Sequence, residues 1–277
     1  MNSFRGWTRP GPVPPGADSM PEVGADETLD FLSGHFRIFQ LRDGHRYSTD
    51  DVLTAWYGTT WCPRAETVLD LGSGIGSVAL VAAWRLPGAR FVTVEAQEQS
   101  VALARKSIAF NGLGDRMDVR LGDFRDTAVI AERERFDLVL GSPPYFPIGS
   151  GVEGDHPQKV ACRFELRGDV GDYCTVAVRH LAPGGVFACV FPQPDGQRER
   201  VEAGAAAAGL AILRSRPVVL REGAAPLLAL YALARATDLP DAVRARPWIE
   251  PALTIRLADG AVHPEYQAVK LAFGFPP

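Results

Sequence analysis

The run Glu66-Thr-Val-Leu-Asp-Leu-Gly-Ser-Gly-Ile-Gly-Ser-Val-Ala-Leu80 constrains this chain more than any other stretch. Val68, Leu69 and Leu71 form a short apolar run bounded by turn residues and read as a buried strand, while Ser77 to Trp84 supply a helical apolar face. Between them Gly72, Gly74 and Gly76 allow the backbone to turn sharply and approach a ligand, because a Cβ at those positions would clash. A strand, a glycine turn and a helix start in this order suit an adenosine-containing cofactor, nicotinamide and flavin cofactors included. Asp70 narrows the choice, since a carboxylate at the strand tip favours a cationic ligand group and repels a pyrophosphate.

Ser142-Pro-Pro-Tyr145, at the end of a later apolar run, is the second discriminator. With both features the chain resembles the class I S-adenosylmethionine (SAM) methyltransferases that methylate amino groups. Methylating an exocyclic amine is difficult because the nitrogen lone pair is delocalised into the ring. Two acceptors gripping both N–H hydrogens would hold that nitrogen and aim it at the sulfonium methyl; here they are the Ser142 hydroxyl oxygen and the Pro143 carbonyl. The Pro143-Pro144 pair fixes φ and stiffens this corner, and Tyr145 would stack on a base displaced from its helix. Positioning and electrostatics then carry the reaction. A plain diproline turn is the competing reading, and the position of this turn after the fourth strand argues against it.

The rest of the chain supplies the other expected parts. Arg90 to Glu95 reads as a second buried strand whose terminal acid can accept both ribose hydroxyls, and Gln97 to Asn111 as an amphipathic helix stopped at Asn111-Gly112. Met117 to Phe124 is a third strand and its exit, where Asp123 could accept from an adenine amino group and Phe124 pack on the ring. A charged helix is expected around Arg125 to Arg135, a fourth strand over Phe136 to Gly141, and a long functional loop over Phe146 to Gly168. Asp169 to Leu181 and Asp195 to Ala208 read as helices and Gly185 to Phe191 as a fifth strand. Ala211 to Leu220 and Pro226 to Ala234 read as an antiparallel pair at the sheet edge. The predicted fold is therefore α/β: a Rossmann-like, seven-stranded, mostly parallel sheet with an antiparallel edge strand, helices on both faces and a small N-terminal β-hairpin.

Residues 1–27, rich in proline and glycine, are expected to form a disordered tail because they carry too little apolar surface to offset ordering entropy. Residues 28–235 form the predicted catalytic domain, with a hairpin from Thr28 to Leu41 and a helix from Asp50 to Thr60 capped by Ser48 or Thr49. Residues 236–277 are read as an extension packed on the same domain. The chain has 277 residues, 46% of them hydrophobic, enough for a full core, and no apolar run of the length that spans a membrane. The N-terminus lacks the apolar centre of a signal peptide, so a cytoplasmic location is expected and no membrane partner. Cys62, Cys162, Cys174 and Cys189 lie too far apart for a zinc knuckle or redox dithiol; reduced thiols and no metal are expected. A formal net charge of −4 gives no general attraction to nucleic acid, so any such partner must meet a local basic surface.

The resemblance extends from about Thr28 to Phe273. It is closest in character to the bacterial tRNA N6-adenine methyltransferases that modify an adenosine beside the anticodon of a valine tRNA. It rests on Thr49-Asp50, the glycine turn, Ser142-Pro-Pro-Tyr-Phe146, Arg163-Phe-Glu165, Gly185 to Pro192 and His263 to Val269. It implies SAM as cofactor, tRNA as partner and the N6 amino group of an adenosine as target; a protein glutamine-N5, DNA adenine or small-molecule N-methyltransferase is the alternative. The cofactor set it implies is Thr49, Asp50, Asp70, Gly72, Ser73, Gly74, Gly76, Glu95, Ala96, Asp123 and Phe124. The catalytic set is Ser142, Pro143, Pro144 and Tyr145, and Phe146 and Arg163 would meet substrate. Arg163 has a competing reading as a loop arginine paired with Glu165, as do Arg214, Arg216 and Arg221, an RNA-facing strip or a solvated edge. One departure stands out: the tRNA enzymes usually carry asparagine where this chain has Ser142.

Overall fold

Strands that are apolar on both faces must be covered on both faces, and the central strands here are of that kind. The computed structural model describes residues 3–4, 6–18, 22–150 and 156–277. In chain order the elements begin with β1 (Ser3–Phe4), β2 (Trp7–Thr8), β3 (Glu27–Phe31), β4 (Arg37–Leu41) and α1 (Thr49–Trp61). The first repeating units are β5 (Thr67–Leu71), α2 (Ser77–Arg85), β6 (Arg90–Glu95), α3 (Glu98–Phe110), β7 (Met117–Leu121) and β8 (Phe136–Gly141). There follow α4 (Pro157–Arg163), α5 (Val170–His180), β9 (Leu181–Pro192), α6 (Gln197–Ala208), β10 (Leu210–Arg221) and β11 (Leu228–Arg235). The chain ends with α7 (Asp241–Arg244), β12 (Trp248–Ile249), β13 (Leu253–Arg256) and α8 (Pro264–Ala272).

The main sheet has the order β12-β10-β11-β9-β8-β5-β6-β7, with β13 also pairing β10. Strands β7, β6, β5, β8 and β9 are mutually parallel, and β11 runs antiparallel to both its neighbours. Strands β10 and β11 are the antiparallel pair expected toward this edge, and β12 and β13 extend the sheet beyond β10. The period of two along each strand divides the core. Val68, Leu138, Leu140 and Val190 pack with α1 and α2 on one face, while Leu69, Leu71, Val139 and Phe191 pack with α5 and α6 on the other. The order changes direction at β5 and β8, which sends their following loops apart and leaves a crevice at the carboxyl edge of the sheet. That crevice is where the glycine turn and the Ser142–Tyr145 turn emerge.

Three expectations change. Residues 125–135 form turns rather than a charged helix: apart from Val129 and Ile130 they offer no apolar stripe, and Arg120 anchors the segment through Glu134 at 2.8 Å. The loop after Phe146 contains α4, started by His156, whose side chain accepts from Gln158 N, and Pro157. The described part of the expected disordered tail lies against the body: Arg9 Nη1 donates to Gly34 O at 2.8 Å, its guanidinium stacks 3.6 Å from the Phe31 ring centroid, and Pro14 is buried. A short proline-rich segment makes no core of its own but can lie on aromatic surface that others provide. The rest of that prediction, at residues 1, 2, 5 and 19–21, falls outside the described residues, as does the 151–155 part of the long loop.

Candidate functional site

The crevice encloses a cavity of about 430 Å³. Its lining brings together Asp50, Asp70, Gly72, Ser73, Gly74, Glu95, Ala96, Asp123, Phe124, Ser142, Pro143, Pro144, Tyr145, Phe146 and Arg163, all singled out from the sequence. Thr49 and Gly76 are not in the lining. Thr49 is the first residue of α1, and Gly76 caps α2 in the left-handed conformation, φ +82°.

The glycine turn is tied to the end of β6. Ser73 N donates to Val94 O at 2.9 Å, Gly74 N to Glu95 Oε2 at 2.9 Å, and Gln97 N to Glu95 Oε1 at 2.7 Å. Both oxygens of Glu95 are thereby oriented, and each keeps a lone pair for a ligand hydroxyl. The reasons for the glycines separate here. Gly72 has φ +61°, and a Cβ on it would meet the Tyr173 hydroxyl at 2.1 Å, so this glycine makes room for a protein side chain. Gly74 has φ +54° and nothing within 4 Å of such a Cβ, so it faces the open cavity.

Asp70 is 1% exposed and its Oδ2 is buried with no hydrogen-bond partner. Burial, and then the negative charges of Asp51 and Glu95, push its carboxyl well above the usual range. Asp51, on α1, is buried too and pushed up to about 7, chiefly by desolvation. A cavity with an orphaned buried carboxylate oxygen and a second buried carboxyl is short of positive charge. The sulfonium and ammonium groups of SAM are cations of the kind that would relieve it, so the residues present fit that cofactor.

Asp123 is held by Arg125, whose Nη2 donates to Oδ2 at 2.6 Å and whose backbone N donates to Oδ1 at 2.9 Å. This carboxylate is therefore fixed at the rim and keeps its pKa low. Phe124 is 6% exposed and packs edge-on against Tyr173, ring centroids 4.6 Å apart.

The Ser142–Tyr145 turn, at the end of β8, lines the same cavity. The Tyr145 hydroxyl donates to Asp50 Oδ2 at 2.7 Å, and its ring meets Phe191 edge-on. Backbone bonds from Tyr145 N and Phe146 N to Arg163 O, and from Glu165 N to Phe146 O, tie the turn to the end of α4. That helix is pinned by buried Gln158: its Oε1 accepts from His45 N at 2.8 Å and its Nε2 donates to Ser100 Oγ at 3.0 Å. Arg163 is exposed and lies 5.5 Å from the centroid of the half-exposed Phe146 ring. Its expected alternative partner, Glu165, pairs instead with Arg200 at 2.5 Å. Arg214, Arg216 and Arg221 are engaged within the protein: Arg214 between the Trp61 and Trp248 rings, Arg216 with Glu265, and Arg221 with Ala258 O.

Sequence reasoning missed Asp51, Ser77, Gln97, Cys162, Arg167 and Tyr173 as lining residues. In the sequence Asp51 is only an acid in the first turn of a helix, where it suits the positive end of the helix dipole. Tyr173 sits on a helix whose periodicity declares a buried face and nothing more. Cys162 is raised to about 12 by burial, which leaves its thiol protonated and unreactive at neutral pH. Among the described residues no group of three or more His, Cys, Asp or Glu could hold a metal ion, and no helix is long and apolar enough to cross a membrane.

A family model described as the methyltransferase small domain matches residues 59–203. A relative from Porphyromonas gingivalis, named tRNA1(Val) (adenine(37)-N6)-methyltransferase, is 30% identical over 167 residues. That match covers 59% of this chain and 65% of the relative. A relative of the same name from Escherichia coli is 28% identical over 169 residues, 60% of this chain and 66% of its own. The matched stretch thus spans just under two thirds of these relatives. Among solved structures, a predicted O-methyltransferase from Agrobacterium tumefaciens superposes with a TM-score of 0.61 at 17% identity, over 82% of this chain and 98% of that one. This last likeness concerns the fold.

Proposed function

The chain belongs to the methyltransferase small domain family, and from that premise we propose that it is a SAM-dependent methyltransferase acting on the N6 amino group of an adenosine in tRNA. The observation that carries the reading is that one cavity is lined both by Asp70, whose buried Oδ2 has no hydrogen-bond partner, and by the Ser142-Pro143-Pro144-Tyr145 turn. SAM, when bound, supplies an electrophilic methyl group on a positively charged sulfur. Asp70 would hold its cationic portion, Glu95 the ribose hydroxyls, and the Gly72–Gly74 backbone would lie against it. Ser142 Oγ and Pro143 O would accept the two amine hydrogens, and Tyr145 would set the plane of the base. Phe146 and Arg163 at the mouth offer an aromatic face and a cation to the flanking nucleotides.

The names of the two relatives support tRNA over the protein, DNA and small-molecule alternatives, as does the exposed Phe146–Arg163 pair. Mass spectrometry of nucleosides from total tRNA, from cells with and without the gene, tests it. Loss of N6-methyladenosine with the gene is the expected result, and an unchanged level removes tRNA as the substrate. Labelling of a peptide-chain release factor in place of RNA would favour the glutamine reading.

A further inference from the structure

Three hydroxyl and carboxyl groups stand in line from the Ser142–Tyr145 turn into α1. Tyr145 is half-buried in the cavity lining with its hydroxyl donating to Asp50 Oδ2 at 2.7 Å, and Ser142, on the same turn, is the neighbouring hydroxyl that eases ionisation of the phenol by offering it a proton. Polarity follows from what each group can do. An ionised carboxylate only accepts, so the Tyr145 O–H must point to Asp50. The Tyr145 oxygen is then free to accept, so the Ser142 O–H points to Tyr145, and the Ser142 oxygen presents its lone pairs to the cavity. Asp50 is itself removed from bulk water, which raises its affinity for a proton above that of an ordinary carboxylate.

We propose that Ser142, Tyr145 and Asp50 form a proton relay that drains the amine during methyl transfer, with Asp50 as the terminal acceptor. The proposal rests on the functional reading above. As the amine nitrogen forms its bond to the methyl carbon, the methyl–sulfur bond breaks and its electron pair stays on sulfur, which becomes neutral. The nitrogen now carries one proton too many. That proton passes to Ser142 Oγ, the Ser142 proton passes to the Tyr145 oxygen, and the Tyr145 proton passes to Asp50 Oδ2, which ends as a neutral acid. Product departure returns Asp50 to solvent exchange. The relay also gives a reason for serine in place of the asparagine usual in similar enzymes: a hydroxyl can take and give a proton in one step, whereas an amide oxygen only accepts.

Asp50→Asn separates this from a purely positional role, because asparagine still accepts the Tyr145 hydrogen bond but cannot take up the proton. The experiment measures SAM binding by calorimetry, and steady-state transfer to a tRNA transcript, for the full chain and for Asp50→Asn, Tyr145→Phe and the double variant. The relay predicts a KM for RNA within a few-fold of the unaltered protein, and because Asp50 belongs to the expected cofactor set the variants are compared at saturating SAM. It predicts kcat reduced by at least about 100-fold in each single variant, the size of a general acid–base contribution. The double variant falls no further than the worse single, since one chain is cut once. Asp50→Asn with near-normal kcat overturns the relay while leaving the function intact, as does a rise in KM at constant kcat. SAM binding without transfer to RNA by the unaltered protein overturns the function and the relay with it.

Discussion

Two parts of the cavity lining are built by opposite means. The part that carries the glycine turn is local: strand β5, its turn and the tip of β6 are in register neighbours, and Glu95 reaches back only 21 residues to hold Gly74. The part that carries the Ser142–Tyr145 turn is assembled from afar. Asp50 meets Tyr145 across 95 residues of sequence, and His45 meets Gln158 across 113. A wall made of short-range backbone contacts keeps its shape at small entropic cost, whereas one made of distant contacts depends on every partner being in place. The first should therefore fail mainly in ligand affinity and the second mainly in turnover.

The sharpest break in that comparison is Tyr145→Ala. It should bind SAM as the unaltered protein does, by calorimetry, yet lose about 100-fold or more in turnover, the usual consequence of misplacing a reacting group. Normal turnover would show that the tyrosine does not set the base. Within the local wall, Gly72→Ala and Gly74→Ala share a left-handed backbone, so each carries the ~1 kcal/mol penalty of that conformation. Only Gly72→Ala also drives a methyl group into the Tyr173 hydroxyl, adding an overpacking cost of about 1–3 kcal/mol. Urea unfolding should thus rank Gly72→Ala as clearly the worse, with Tyr173→Phe restoring part of the loss. Equal costs would contradict the packing assigned to Gly72.

Asp70→Asn keeps the size and shape of the buried side chain and removes its charge. The ligand-free protein should melt no lower than the unaltered one, and SAM affinity should drop by about tenfold or more, the worth of ~1.4 kcal/mol of lost charge pairing. A lower melting temperature with unchanged affinity would place the cation elsewhere. The smallest effect concerns pH. Asp51 is raised from its unfolded value of about 4 to about 7. Its contribution to stability is fully present below about pH 4 and is lost as pH rises to about 7, because the unfolded chain ionises first. A cationic ligand reverses the trend by favouring the ionised form, so SAM affinity should climb a few-fold between pH 6 and 8, and calorimetry at both pH values would detect it.

The same division decides how much could be read from the chain. The glycine turn, the acid at the end of β6 and the Ser-Pro-Pro-Tyr turn are carried by residue type and order over a few positions, and the parallel sheet follows from the buried apolar runs that precede them. Asp51 and Tyr173 were not legible, because each becomes a site residue only through packing between distant elements. Helix α4 was hidden in a glycine-rich stretch whose only starting signal was His156-Pro157, and its hold on the site runs through Gln158, a residue ordinarily left in solvent. The sequence overstated the isolation of the N-terminal segment because the surfaces that receive it, Phe31 and Trp84, lie on other elements.

The central claim is that a positively charged methyl donor and a clamped planar amine occupy one cavity. Incubating the protein with methyl-labelled SAM and a pool of unmodified tRNA transcripts, then digesting and separating the nucleosides, tests it directly. The account predicts label in N6-methyladenosine, lost in Tyr145→Ala and in Asp70→Asn at limiting SAM. Label in any other nucleoside, or undiminished label in Tyr145→Ala, contradicts it.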